Sequence, residues 1–196
     1  NTLVASRIDQ ANGALDRLAV RPLGPGPHAA AIHPSGAWLC VSNFGADTVR
    51  VFAVDANTGL PTQSHVFSVG SMPTDIGFSP DGRQIFVTHA GLAADGFGSS
   101  LASYAFDGQT GAIAQQGAPL ALNGGRPFAL AVDPHEPLVY FTLSMFDSVL
   151  AVRTNPAGTL TPVPPLRPAG LEPVDVEVDA TGRTLFVASA AEDTIH

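Results

Sequence analysis

A motif that recurs four times constrains the fold of this 196-residue chain more than any other feature. Each copy consists of Gly-x-x-Pro, an apolar stretch, a Pro-x-Gly-like turn and a second apolar stretch. The turns end at positions 36, 82, 136 and 182, which are 46, 54 and 46 residues apart. Internal repeats of this length are typical of arrays in which each unit buries its apolar faces against its neighbours.

Each copy predicts β-strands. The apolar stretches, such as Gln84 to Thr88, are rich in β-branched and aromatic residues and are bounded by Gly, Pro, Asn and Asp. A third stretch ends in an Asp-x-x-Thr-Gly-like turn, as at Asp55 to Gly59. Several stretches are continuously apolar, which indicates sheets covered on both faces. The sequence therefore predicts an all-β β-propeller of four-stranded antiparallel blades, about four blades' worth; a solenoid is the structural alternative.

The ends of the chain match the middle of a repeat. Residues 2–13 match residues 48–59, and residues 193–196 match residues 47–50. We therefore expect a single propeller domain, or a propeller fragment, over residues 1–196. Its repeats lie near 1–23, 24–69, 70–123, 124–169 and 170–196. The last two strands could pair with the first two to close a ring of sixteen strands, or self-association could complete the propeller.

Charge and composition argue against several partners. The net charge of −8 and the nine scattered Lys and Arg residues disfavour nucleic acid, whose binding depends on clustered cations. The sequence contains neither a basic patch nor an apolar run of about 18 residues, which are the features that would indicate contact with a membrane. The single cysteine, Cys40, lies in an apolar run and is expected in the core. The start at Asn1 is compatible with a cleaved leader or a trimmed piece, and both a cytoplasmic and a periplasmic location remain open.

Several stretches resemble the lactonase-type β-propellers, the family of 6-phosphogluconolactonase and the fungal carboxymuconate cyclases. The resemblance is carried by residues 24–28 with 33–36, 39–43, 51–55 with 58–60, and, more generically, 79–83 with 85–87. It implies a seven-bladed fold, of which this chain would be about four sevenths. It also implies hydrolysis of a sugar or carboxy lactone as a small-molecule substrate.

Strand direction alternates within a blade, so its loops divide between two ends. With the strands of a blade named A to D, the DA loop entering strand A and the BC loop joining strands B and C lie at one end. The candidate residues at that end are His28, Asn43, Asp47, Thr74, Asp75, His89, Arg126, Asp147, Glu172, Asp175, Glu192 and Asp193. The Pro-x-Gly turns, with Asp81, Arg83 and His135, fall at the opposite end and are expected to be structural.

Three of these residues are the predicted catalytic groups. His28 follows a proline where the resembling family carries histidine, and imidazole can activate water or orient substrate. The planar donor fork of Arg126 suits a lactone carbonyl, a carboxylate or a phosphate. Glu172, in the equivalent loop of the next copy, is a candidate base or a partner for Arg126. The alternatives are a histidine that caps the innermost strand and a solvated arginine.

Asn43, Asp75, His89 and Asp175 are the predicted substrate-binding residues. Asp75 and Asp175 occupy equivalent positions at the start of strand A, where a carboxylate also commonly accepts backbone N–H groups. An insertion within Ala90 to Ser100 is expected to form either a mobile lid or a tolerated surface loop.

The sequence contains no metal-binding or serine-nucleophile motif. The six histidines form no His-x-His or His-x-x-x-His pair, and no Gly-x-Ser-x-Gly is present. We therefore predict no metal and no cofactor. Thr48, Thr74 and Ala90 stand near positions where the resembling family carries arginine. Two interpretations follow: a metal-independent lactonase, or a non-catalytic propeller that serves as a binding platform for a protein or small ligand.

Overall fold

The computed structural model describes residues 1–91, 98–191 and 194–195, and within them it forms seventeen strands and one short 3-10 helix. The strands are β1 (Thr2–Ile8), β2 (Leu15–Pro22), β3 (Pro27–Ile32), β4 (Trp38–Asn43), β5 (Thr48–Val54), β6 (Pro61–Ser68), β7 (Pro73–Phe78), β8 (Gln84–Ala90), β9 (Ser99–Phe106), β10 (Ile113–Ala121), β11 (Pro127–Val132), β12 (Leu138–Leu143), β13 (Ser148–Arg153), β14 (Thr161–Pro168), β15 (Pro173–Val178), β16 (Leu185–Ser189) and β17 (Thr194–Ile195). The 3-10 helix is Ser144–Phe146.

The strands form antiparallel sheets in which chain neighbours pair. Blade I is β3–β6, blade II is β7–β10 and blade III is β11–β14, and each is a four-stranded meander. Blade IV contains β15–β17, and β1 pairs with β2 in a separate two-stranded sheet. The predicted fold class is confirmed: the chain is all-β and forms part of a β-propeller.

Closure of the ring by pairing the two ends is not observed. Among the strands that the structure describes, β1 pairs only with β2, and β17 occupies the free edge of β16. β17 is the start of a strand C, and β1 has the pattern of a complete strand C, so both match the edge of β16. The strand nearer along the chain holds that edge, through Thr194 opposite Ser189.

The apolar core lies between neighbouring blades, and β8 shows how the sequence builds it. Side chains alternate across a strand, so Ile85 and Val87 pack toward blade I while Phe86 packs toward blade III. All three are at most 1% exposed. A strand buried on both faces needs a continuous apolar run, which is what the sequence shows.

Cys40 belongs to the core between blades I and II and is fully buried. Burial raises the pKa of its thiol far above the ordinary value, because the thiolate would lose its hydration. The expectation of an unreactive core cysteine therefore agrees with its surroundings.

The Pro-x-Gly turns tie neighbouring blades together at the end of the propeller opposite the DA and BC loops. His33 Nε2 lies 3.1 Å from the Gly82 carbonyl oxygen, and His135 Nε2 lies 3.0 Å from that of Ala180. A carbonyl can only accept, so each imidazole donates here. These two histidines therefore have a structural role, because they connect neighbouring blades.

Candidate functional site

The DA and BC loops of neighbouring blades enclose a cavity of about 240 Å³. Its lining includes His28, Phe44, Met72, Thr74, Arg126 and Phe128. Blades I, II and III all contribute to it. Of the seven predicted catalytic and substrate-binding residues, the cavity brings together His28 and Arg126.

His28 lies on the innermost strand of blade I and has a defined tautomer. Its Nδ1 is 2.6 Å from the carbonyl oxygen of Thr74 in blade II. Because that oxygen can only accept, Nδ1 carries the proton. In the neutral ring Nε2 then has a free lone pair, as a general base requires.

Two aromatic rings flank His28. The Phe44 ring centroid lies 6.0 Å from the imidazole centroid, and that of Phe128 lies 5.5 Å away in an edge-to-face arrangement. Phe44 comes from the BC loop of blade I, and Phe128 from the inner strand of blade III. These rings give the cavity an apolar wall and restrict the imidazole orientation.

Arg126 reaches the same cavity from the DA loop of blade III. Its backbone is left-handed, with φ of 48°. Its N–H donates to Ser99 Oγ at 3.2 Å, and its carbonyl accepts from Ser144 Oγ at 3.1 Å. The guanidinium is exposed and has no hydrogen bond or ion pair with the residues that the structure describes.

The left-handed backbone recurs in every DA loop. The residue before the strand-A proline has φ of 63° at Gly26, 54° at Met72, 48° at Arg126 and 52° at Glu172. For a residue other than glycine this conformation costs roughly 1–2 kcal/mol. The strain presents the three side chains at one end of the propeller, and strained residues of this kind concentrate at functional sites.

Glu172 and Asp175 lie in blade IV and do not line the cavity. Both are exposed, and the Glu172 N–H donates to Asp147 Oδ1 at 3.0 Å. The Asp175 carboxylate accepts the N–H of Val176 at 3.0 Å. The geometry therefore pairs His28 with Arg126 rather than with Glu172.

Asn43 and His89 are buried beneath the BC loops. Asn43 is 1% exposed and His89 is 0% exposed, and neither lines the cavity. Asn43 Nδ2 donates to Thr48 Oγ1 across the turn at 3.5 Å. Their positions are those of strand ends that pack under the loops.

Asp75 connects two blades. One carboxylate oxygen accepts the N–H of Ile76, and the other accepts the N–H of Leu130 in blade III, both at 2.7 Å. Burial raises the pKa of Asp75 to about 6, and hydrogen bonds from these two backbone groups and the charge of His28 oppose the shift. The carboxylate binds backbone N–H groups, as the structural alternative for Asp75 expected.

Other predicted features fall elsewhere. Within the expected lid, residues 92–97 lie outside the described part of the chain, as do Glu192 and Asp193. In the described ranges, no group of three His, Cys, Asp or Glu side chains could hold a metal ion. No helix in those ranges is long and apolar enough to cross a membrane.

A second cavity, of about 280 Å³, lies among the turns at the opposite end. Several of its polar side chains already have partners. Gln84 Nε2 donates to Gln116 Oε1 and to the Asn155 carbonyl, and Asp81 accepts the Ser79 hydroxyl hydrogen. This cavity is therefore a weaker candidate for a functional site than the cavity beside His28.

Phe44 and Phe128, which form the apolar wall of the cavity, were not among the residues predicted from the sequence. Phe128 occupies the repeat position of His28, two copies further along, so aligning the copies would have placed it at the same end. Phe44 directly follows Asn43 in the BC loop, but nothing in its local sequence distinguishes it from a core residue.

Comparison with known proteins supports the predicted resemblance. Residues 10–91 match the family model described as "Lactonase, 7-bladed beta-propeller". A search among curated proteins found no match.

The fold is shared with longer solved structures. A candidate 6-phosphogluconolactonase from Bacteroides uniformis is 17% identical with a TM-score of 0.82, over 99% of this chain and 59% of that one. The periplasmic gluconolactonase PpgL of Pseudomonas aeruginosa is 21% identical with a TM-score of 0.75, over 95% and 56%. Hydrazine synthase of Kuenenia stuttgartiensis is 20% identical with a TM-score of 0.73, over 98% and 64%. The chain thus spans less than two thirds of each of these structures.

Proposed function

We propose that this chain carries the active site of a lactonase that hydrolyses a sugar or carboxy lactone without a metal ion. The observation that carries the proposal is the tautomer of His28. The Thr74 carbonyl holds the proton on Nδ1, which leaves the Nε2 lone pair beside the cavity that Arg126 also lines.

The reaction assigns one role to each residue. His28 Nε2 takes a proton from water as the water oxygen attacks the lactone carbonyl carbon. The Arg126 guanidinium donates hydrogen bonds to the carbonyl oxygen, where negative charge develops. The ring C–O bond then breaks, and the leaving alkoxide takes the proton back from His28. The product is the open hydroxy acid, and His28 returns to its starting state.

In this mechanism the lactone carbonyl is polarised by a side chain, the Arg126 guanidinium, rather than by a metal ion. The described residues leave the Arg126 guanidinium uncompensated, so its charge is available to an oxyanion. The family match and the gluconolactonase among the similar folds favour a lactone as the substrate.

The test compares two histidine variants. In His28→Gln, the amide can still donate to the Thr74 carbonyl but cannot accept a proton from water. We expect kcat for lactone hydrolysis to fall by about 100-fold or more, the usual range for loss of a general base. His135→Gln makes the same chemical change at a contact with Ala180 on the opposite end and should retain activity.

Acid release from a panel of sugar and carboxy lactones, measured at constant pH, is the readout. Unchanged hydrolysis in His28→Gln would exclude His28 from the mechanism. Circular dichroism of both variants verifies that the fold is retained.

A non-catalytic binding platform is the second candidate function. It is favoured by the apolar wall of Phe44 and Phe128 and by the placement of Glu172 outside the cavity, which leaves one candidate base. This alternative, a platform for a protein or a small ligand, predicts no acid release from any lactone in the panel by either wild type or His28→Gln.

A further inference from the structure

In three of the four DA loops, the left-handed residue is held by the preceding blade. The N–H of Met72 donates to Asp47 Oδ1 at 2.8 Å, and that of Glu172 donates to Asp147 Oδ1 at 3.0 Å. The N–H of Arg126 donates to Ser99 Oγ at 3.2 Å. The same backbone donor is therefore bound in three successive loops.

The three acceptors occupy one position of the repeat. Each stands immediately before the strand-C residue that pairs with the strand-B residue opposite the strand-A proline: Thr48 with Asn43, Ser100 with His89, and Ser148 with Leu143. Aspartate fills the position in blades I and III, and serine fills it in blade II. A carboxylate is the stronger acceptor for a backbone N–H, so the demands of the loop alone would favour aspartate in all three.

The serine acceptor occurs in the loop that carries a positively charged residue. Ser99 holds the one loop of the three whose left-handed residue is an arginine, whereas the two aspartates hold a methionine and a glutamate. A carboxylate at position 99 would bind the Arg126 N–H and stand one side-chain length from the guanidinium. At such a distance opposite charges offset each other substantially.

We propose that Ser99 is a positioning and specificity residue for Arg126. It fixes the strained loop with a neutral acceptor, so the full charge of the guanidinium remains available to an anionic or oxyanionic group of the ligand. This inference rests on the proposed function in one respect, namely that Arg126 faces the ligand.

The experiment measures binding of D-gluconate, the carboxylate product of a sugar lactone, by calorimetry. In Ser99→Asp the dissociation constant should rise by about five- to tenfold, because the added carboxylate offsets the charge of Arg126. In Ser99→Asn, a neutral acceptor close to aspartate in shape, it should stay within about twofold of wild type. Gln109→Glu changes the net charge equally on a distant exposed turn and should have no effect.

Two further measurements separate charge from folding. In an Arg126→Gln background, which itself should bind gluconate weakly, Ser99→Asp should produce no additional loss. The unfolding midpoint of Ser99→Asp should not fall, because Asp47 and Asp147 make the same bond in the neighbouring blades.

The outcomes distinguish this inference from the proposed catalysis. Gluconate binding that follows the predicted order, in a protein that hydrolyses no lactone, would support the role of Ser99 and contradict the lactonase proposal. Equal affinities for wild type and Ser99→Asp, equal losses in Ser99→Asn and Ser99→Asp, or no gluconate binding by wild type would overturn it.

Discussion

The second residue of strand A has one scaffold role in two successive blades. In blade I, His28 bonds to the carbonyl oxygen of Thr74, and in blade II the Thr74 hydroxyl donates to the carbonyl oxygen of Pro127. A threonine is sufficient for this contact. Histidine makes this contact with Nδ1 and keeps Nε2 free. A histidine at this position of the repeat therefore adds a candidate general base and retains the hydrogen bond between the blades.

Asp75 gives a pH-dependent stability that can be measured. The folded state holds the Asp75 proton with a pKa of about 6, and the unfolded chain holds it with the ordinary value of 3.8. Between these values the folded state binds more protons, so the free energy of unfolding should fall as the pH rises. The contribution is complete below about pH 3.8, is lost as the pH passes 6, and amounts to about 2–3 kcal/mol.

Denaturant titrations between pH 4.5 and 7 measure this slope, and Asp75→Asn should flatten it. The slopes are compared rather than the absolute stabilities, because an amide loses one of the two N–H acceptors. Hydrogen bonds lower the pKa values of Asp81 and Asp107, so their stabilisation is lost only as the pH falls below about 4. Parallel slopes in wild type and variant would contradict the prediction.

The repeat also explains which site residues could be predicted. Asn43, His89, Leu143 and Ser189 share one repeat position, and all are at most 3% exposed. The leucine at this position in the third copy was a sequence signal of burial. By contrast, the left-handed backbone of Arg126 leaves no mark in its own sequence, so its placement beside His28 could not be predicted beyond the choice of loop.

At the scale of elements, the inner strands of blades II and III approach unusually closely at Gly77. A Cβ added there would lie 2.7 Å from Leu130 Cδ1 and 3.0 Å from Val132 Cγ2. The blade pairing thus requires a residue without a side chain at this point. The repeat predicted that blades would stack, but not which pair of strands would lie closest.

Gly77→Ala should therefore destabilise the protein by about 1–3 kcal/mol through overpacking. Leu130→Val removes the atom in closest contact, so the double variant should lose less than the sum of the two single variants. Guanidinium unfolding of the four proteins gives the coupling energy. Strict additivity would show that the contact with Leu130 does not cause the loss of stability in Gly77→Ala.

Blades were predictable because their turns are local, whereas the chain ends were not. The Pro-x-Gly turns of the first two copies contain a glycine that adopts positive φ, at Gly36 and Gly82. β1 and β17 both have a strand-C sequence pattern, so either strand matches the edge of β16. The local sequence therefore does not specify which of the two strands pairs there.

At the scale of the whole molecule, blade IV presents an inter-blade face that no described sheet covers. Phe86 and Phe186 occupy the same position of strand B, each on the side of the following blade. Phe86 is 1% exposed beneath blade III, while Phe186 is 49% exposed. Asp75 bonds to the following blade through Leu130, and the equivalent Asp175 is exposed on this open side.

We propose that another blade of the same repeat covers this face, and that for the 196-residue chain alone a second copy supplies it. β1 and β2 have the pattern of strands C and D, and in the described part of the chain blade IV has only the two residues of β17 beyond strand B. The β1–β2 pair of the second copy would replace β17 at the edge of β16, and its blade I would then cover Phe186. Two such exchanges join two chains into one closed ring.

Sedimentation analysis at micromolar concentration should therefore give twice the chain mass of 20.1 kDa. Phe186→Glu places a charge in the buried contact and should shift the population to single chains, whereas Phe128→Glu, at the cavity, should leave the mass unchanged. A wild-type mass of one chain would exclude the two-copy ring. Because the single-chain form leaves Phe186 exposed, it should also aggregate at lower concentration than the paired form.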